Sequence, residues 1–74
     1  MTEEDERMPK IHINAARINA GMSQEELAKR MGVTRQTVNA WERNKREMTT
    51  PQVFMFCSIT GFSSDDIILP QKST

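Results

Sequence analysis

Gly32 stands between two segments of helical periodicity and leaves three residues, Gly32-Val33-Thr34, in which to join them. Upstream, Ser23-Gln24-Glu25-Glu26 has capping-box spacing: Ser23 accepts from the Glu26 amide and Glu26 reaches back. The helix it opens, about 24–31, puts Leu27, Ala28 and Met31 on one face, with Glu25, Lys29 and Arg30 outside. A glycine just past a helix takes the left-handed conformation without steric cost, and Thr34 can cap the next helix. Two helices joined this tightly must cross at a steep angle. Every other element has to fit around that corner.

The second segment, about 35–43, buries one thin stripe. Val38 and Trp41 point inward at helical spacing, while Gln36, Asn39, Ala40 and Arg43 fall on the opposite arc and Arg35 sits at the exposed N-terminal end. Flanking it, Asn14 can cap a short helix with Ile13, Ala16, Arg17 and Ala20 along one side, ended by Gly21. KIHI (10–13) alternates and reads as extended. Thr50-Pro51 reads as an N-cap followed by proline at the first helical position. PQVFMFCSIT is apolar over most of its circumference and is expected to be the most buried helix. After Gly61, Ser63-Ser64-Asp65-Asp66 is expected to start a last helical turn or two bearing Ile67, Ile68 and Leu69, halted by Pro70. The pattern predicts an all-α, compact bundle of about five short helices around a central helix-turn-helix. It spans residues 10–70, between an acidic, disordered tail (1–9) and a C-terminal tail (71–74).

At 74 residues the chain is near the size at which a core sustains itself without staples. Cys57 is alone, so no internal disulfide forms, and it reads as a small core hydrophobe. No Cys/His cluster has metal-ligand spacing, so no metal and no cofactor is expected. The apolar run VFMFC is far below the ~20 residues that span a bilayer, and the acidic start lacks the apolar core of a signal peptide. The expectation is a soluble protein without membrane partners. No activated nucleophile and no carboxylate pair in an apolar cleft is apparent, so no enzyme is expected. Glu25-Glu26 and Asp65-Asp66 read as helix-start acids.

Net charge is zero, but its distribution is uneven. Glu3, Glu4, Asp5 and Glu6 outweigh Arg7 in the first nine residues. Lys29, Arg30, Arg35, Arg43, Lys45 and Arg46 outweigh Glu25, Glu26 and Glu42 between positions 24 and 46. A basic middle survives beneath the neutral total.

QEELAKRMGVTRQTVNAWER, Gln24 to Arg43, resembles the helix-turn-helix of the phage repressor and Cro family, the lambda-repressor-like domain. Gln24 stands at the first position, small Ala28 at the fifth, Gly32 at the ninth and Val38 at the fifteenth; Leu27, Met31, Val33 and Trp41 fill the core-facing positions. Flanking residues extend the resemblance over roughly 13–69. One departure is Asn44, where the family usually has glycine; asparagine also tolerates the left-handed conformation.

The resemblance implies that the third helix enters the major groove of double-stranded DNA. Arginine can pair bidentately with guanine, and glutamine or asparagine with adenine. Arg35, Gln36 and Asn39 are thus candidate base readers, and Ala40 can touch a thymine methyl. Ser23 and Gln24 resemble the family's phosphate contacts at a helix start. Arg43, Asn44, Lys45 and Arg46 form a basic loop suited to gripping the backbone. Arg17, Ala28, Gly32, Val38, Trp41 and Glu42 are structural, and by resemblance Arg17 and Glu42 form an ion pair joining the first and third helices. The implied protein is a cytoplasmic, nucleoid-associated prokaryotic or phage repressor. It is expected to bind a palindromic operator as a weak homodimer, with the exposed part of Ile67, Ile68 and Leu69 as interface. The alternative is an antitoxin-type interaction module that neutralises a toxin and autoregulates its operon.

Overall fold

The computed structural model describes residues 9–72; the acidic segment and the last two residues lie outside it, and with them most of the expected disordered tail. The described chain runs β1 (Ile11–His12), α1 (Ile13–Asn19), α2 (Gln24–Met31), α3 (Arg35–Glu42) and α4 (Thr50–Thr60). A 3-10 turn (Ser64–Asp66) and β2 (Ile67–Ile68) follow.

The corner between α2 and α3 is built as the spacing predicts. Both halves of the Ser23/Glu26 capping box are present, Gly32 is left-handed at φ 69°, and the Thr34 hydroxyl accepts from the Thr37 amide. Val33 N donates to Ala28 O at 3.0 Å and Gly32 N to Lys29 O at 3.3 Å, closing the helix end as a Schellman motif. The third helix ends the same way: Lys45 N donates to Ala40 O at 2.8 Å and Asn44 N to Trp41 O at 3.1 Å. Asn44 supplies the positive φ, 58°.

Ile13, Ala16, Met22, Leu27, Ala28, Met31, Val38, Trp41, Phe56 and Ile67 form one core. Trp41, Phe56, Leu27 and Val38 are its largest fully buried side chains, each worth about 1.5–3 kcal/mol by withdrawal from water. Trp41 stays there although its indole Nε1 finds no acceptor. Ala28 is buried on α2, and α2 and α3 share the most extensive contact of any helix pair among the described residues.

Five expectations are corrected. Asn14 does not cap α1; His12 precedes the helix with no side-chain cap hydrogen bond, because β1 runs directly into it. In addition, Ala20, expected on the inward side, is exposed. Thr49, not Thr50, caps α4 through a capping box with Gln52, which places Pro51 one residue further in. The Ile67-Ile68 segment is a strand rather than a helix and pairs in parallel with β1, Ile11 opposite Ile67 and His12 opposite Ile68. Two adjacent β-branched residues favour extended backbone, and Pro70 disfavours helical geometry at Leu69 before it. Lastly, α4 is not the most buried helix: among its residues only Phe56 is fully buried, while Phe54 is 65% and Met55 45% exposed. It covers α1, α2 and the 3-10 turn from one side, so apolar composition around its circumference outruns the surface available to bury it. Cys57 packs half-buried against the core, and burial pushes its thiol pKa up.

The Gly32 corner can be tested directly. A β-carbon built on Gly32 meets nothing within 4 Å, so Gly32→Ala is expected to cost only the left-handed backbone term, about 1 kcal/mol. Gly32→Asn is expected to cost less. Urea midpoints compare the two, and an alanine variant as stable as wild type contradicts the assignment.

Candidate nucleic-acid interface

A polar network ties the outward residues of α3 to the scaffold. Arg17 Nε donates to Glu42 Oε2 at 2.7 Å and Arg17 Nη2 to Glu42 Oε1 at 3.3 Å, while Arg17 Nη1 donates to the Met22 carbonyl at 2.8 Å. The two charged side chains are 12% and 9% exposed. A forked, shielded pair of this kind is geometrically specific in a way a surface pair is not. It joins α1 to the last turn of α3.

Gln24, the first residue of α2, extends the network outward. Its Nε2 donates to Glu42 Oε1 at 3.0 Å and to Asn39 Oδ1 at 3.4 Å, and its Oε1 accepts from Arg35 Nη1 at 3.0 Å. Gln24 thus touches two of the candidate base readers and the buried end of the ion pair. This was not legible in the sequence, because Gln24 and Arg35 are eleven residues apart and meet only across the corner. Arg17, Ser23, Gln24, Glu25 and Arg35 line a shallow open hollow beside α3.

Arg35 and Gln36 are exposed at the start of α3, whereas Asn39 and Ala40 are half-buried. The helix ends at Glu42, one residue before the expected limit, and Arg43 follows as its cap. Arg43, Asn44, Lys45 and Arg46 are all exposed. Arg46 Nη1 approaches Thr37 Oγ1 at 3.5 Å, and Thr37 shares a 2.9 Å hydrogen bond with Thr34, so the loop folds back toward the start of α3. Thr37 and Met22 are two contributors that the sequence reading left out; neither has a periodic signal, since each acts through a tertiary contact. The face therefore presents an arginine, amides and a basic loop, and Val38 and Trp41 anchor it from behind.

A helix-turn-helix family model matches residues 13–67, covering both helices of the corner and the core around them. The chain belongs to the Cro/repressor-type helix-turn-helix family. Comparison with curated proteins and with solved structures gives no match. Membership makes this a DNA-binding helix-turn-helix regulator, with α2 and α3 as the motif. No helix among the described residues is long and apolar enough to cross a membrane.

In a Cro/repressor-type domain held together this way, Glu42 is a structural acid. Glu42→Ala leaves Arg17 shielded and uncompensated and removes one acceptor of Gln24, which is expected to cost about 3 kcal/mol. Glu25→Ala, an exposed control on α2, is expected to stay within about 0.5 kcal/mol of wild type. Thermal or urea unfolding of the two variants compares them; equal small shifts would remove the scaffold role of the pair.

Proposed function

We propose that this chain is a prokaryotic or phage repressor that inserts α3 into the major groove of a two-fold operator and binds it as a dimer. Arg35, Gln36 and Asn39 read base edges and Ala40 meets a thymine methyl. Ser23, Gln24, Arg43, Asn44, Lys45 and Arg46 hold phosphates and set the register. The observation that carries this reading is the two-sidedness of α3: Val38 and Trp41 are buried, Arg35 and Gln36 are exposed, and exposed cations follow at once. One such helix reads too few base pairs to be selective, which is the argument for two copies.

Supporting the dimer is apolar surface that the single copy leaves open. The expected interface shifts, because Ile67 is buried and engaged with β1, leaving only Ile68 at 40% exposure and half-buried Leu69. Phe54 and Met55 on α4 are adjacent and more exposed, and a second copy covering them is the reading they favour. An antitoxin-type module would offer the same pair to a toxin. Phe54→Ser is expected to abolish cooperative binding to a full palindrome while half-site affinity persists. Wild-type cooperativity in that variant would place the dimer contact elsewhere.

Reading and gripping separate by salt dependence. A lost bidentate base contact costs ~1–3 kcal/mol and relaxes preference at one position. A lost phosphate contact weakens all sequences and reduces the log-log salt slope by about one. Gln36→Ala is expected to flatten discrimination at one symmetric pair of operator positions with little change in slope. Lys45→Ala is expected to keep the preference and make the slope shallower. Anisotropy titrations on a selected operator and its single-base variants decide, and identical behaviour of the two variants would overturn the assignment.

A further inference from the structure

The segment after β2 returns to the loop that follows α3. Pro70 is buried, and beyond it two main-chain amides are taken up by that loop: Gln71 N donates to Asn44 Oδ1 at 3.3 Å and Lys72 N to Glu47 Oε2 at 3.4 Å. Arg43, Asn44, Lys45 and Lys72 together line a notch of about 120 Å³. All four residues are exposed, and among the described residues none of the three cations is in a salt bridge. Three positive charges around one small concavity attract an anion, and Glu47, whose carboxylate accepts from the Lys72 amide, is not among the residues that line it.

We propose that this notch is a phosphodiester-binding site completed by the chain's C-terminal segment, with Lys72 as a DNA-backbone contact beside Arg43 and Lys45. The inference rests on the DNA-binding reading above and adds to it a cation 27 residues beyond Lys45 in the chain. It also gives Asn44 a reason to differ from glycine. Both residues accept the left-handed turn at φ 58°, but only asparagine has a side-chain carbonyl to receive the Gln71 amide. The residue that ends the recognition helix therefore also holds the tail against the site.

The test uses the full chain and the selected operator, with affinity measured from about 50 to 200 mM salt, the range over which phosphate contacts dominate. Lys72→Gln is expected to make the log-log slope shallower by about 0.9, as for one phosphate contact, with unchanged base preference. Asn44→Gly keeps the turn and removes the clamp, and is expected to move the slope in the same direction without loss of thermal stability. Lys10→Gln removes the same charge beside Ser63, Asp65 and Asp66, away from the notch, and is expected to leave the slope unchanged. If Lys72→Gln behaves as wild type while Lys45→Ala lowers the slope, the tail site is overturned and the DNA-binding face stands. If Lys72→Gln and Lys10→Gln both make the slope shallower by the same amount, bulk charge accounts for the effect and the site is likewise overturned. If Lys45→Ala and Lys72→Gln both leave the slope unchanged, the phosphate assignment of the whole loop falls with it.

Discussion

Arg17 reaches from α1 to clasp Glu42 in the last turn of α3, and the position of α3 depends on that clasp. Hydrophobic packing alone holds α3 by a thin stripe, Val38 and Trp41, which leaves rotation about that stripe poorly specified. A two-pronged, shielded ion pair at one end of the helix and the Thr34 cap at the other fix its azimuth. Its desolvation makes the pair a weak source of net stability but a strict source of geometry. Through Gln24 the same geometry is passed to Arg35 and Asn39. The side chains proposed to read DNA are therefore partly organised before any DNA arrives, which lowers the ordering cost of binding.

The rest of the architecture serves that corner. The α2–α3 turn is short: Ala28 is buried on α2 before it, and Gly32 closes the corner in the left-handed conformation. The two short strands bring the N-terminal and C-terminal ends of the domain together beside α1. That closure directs the chain beyond Pro70 back toward the loop at Asn44. Gln24 thus meets Arg35 and Asn39 across the corner, and the chain beyond Pro70 meets the loop that follows α3.

What was legible in the sequence is what local chemistry dictates. Gly32, the Ser23/Glu26 box, the Thr34 cap and the inward stripe of α3 each follow from helix periodicity and capping, and the structure has each of them. The misreadings arose where tertiary context outweighs local signals. Ile67 and Ile68 could have continued a helix, yet β1 offered a partner strand. The apolar run of α4 suggested deep burial, yet a domain this small has too little interior to cover Phe54 and Met55. At the site, the residue types and the outward arc were readable, while the Gln24 hub and the approach of Lys72 were not. Both depend on which distant residues the corner and the strand pair bring together.

Amide and side-chain NMR of the ¹⁵N-labelled chain, titrated with an operator selected from a random DNA pool, tests the central claim most directly. The account predicts that the largest shifts fall on the side-chain amides of Gln24, Gln36 and Asn39 and on the backbone from Arg43 to Arg46. The β1–β2 end around His12 and Ile68 is predicted to stay still. Largest shifts on α4 or on the strand pair, with α3 unaffected, would contradict it.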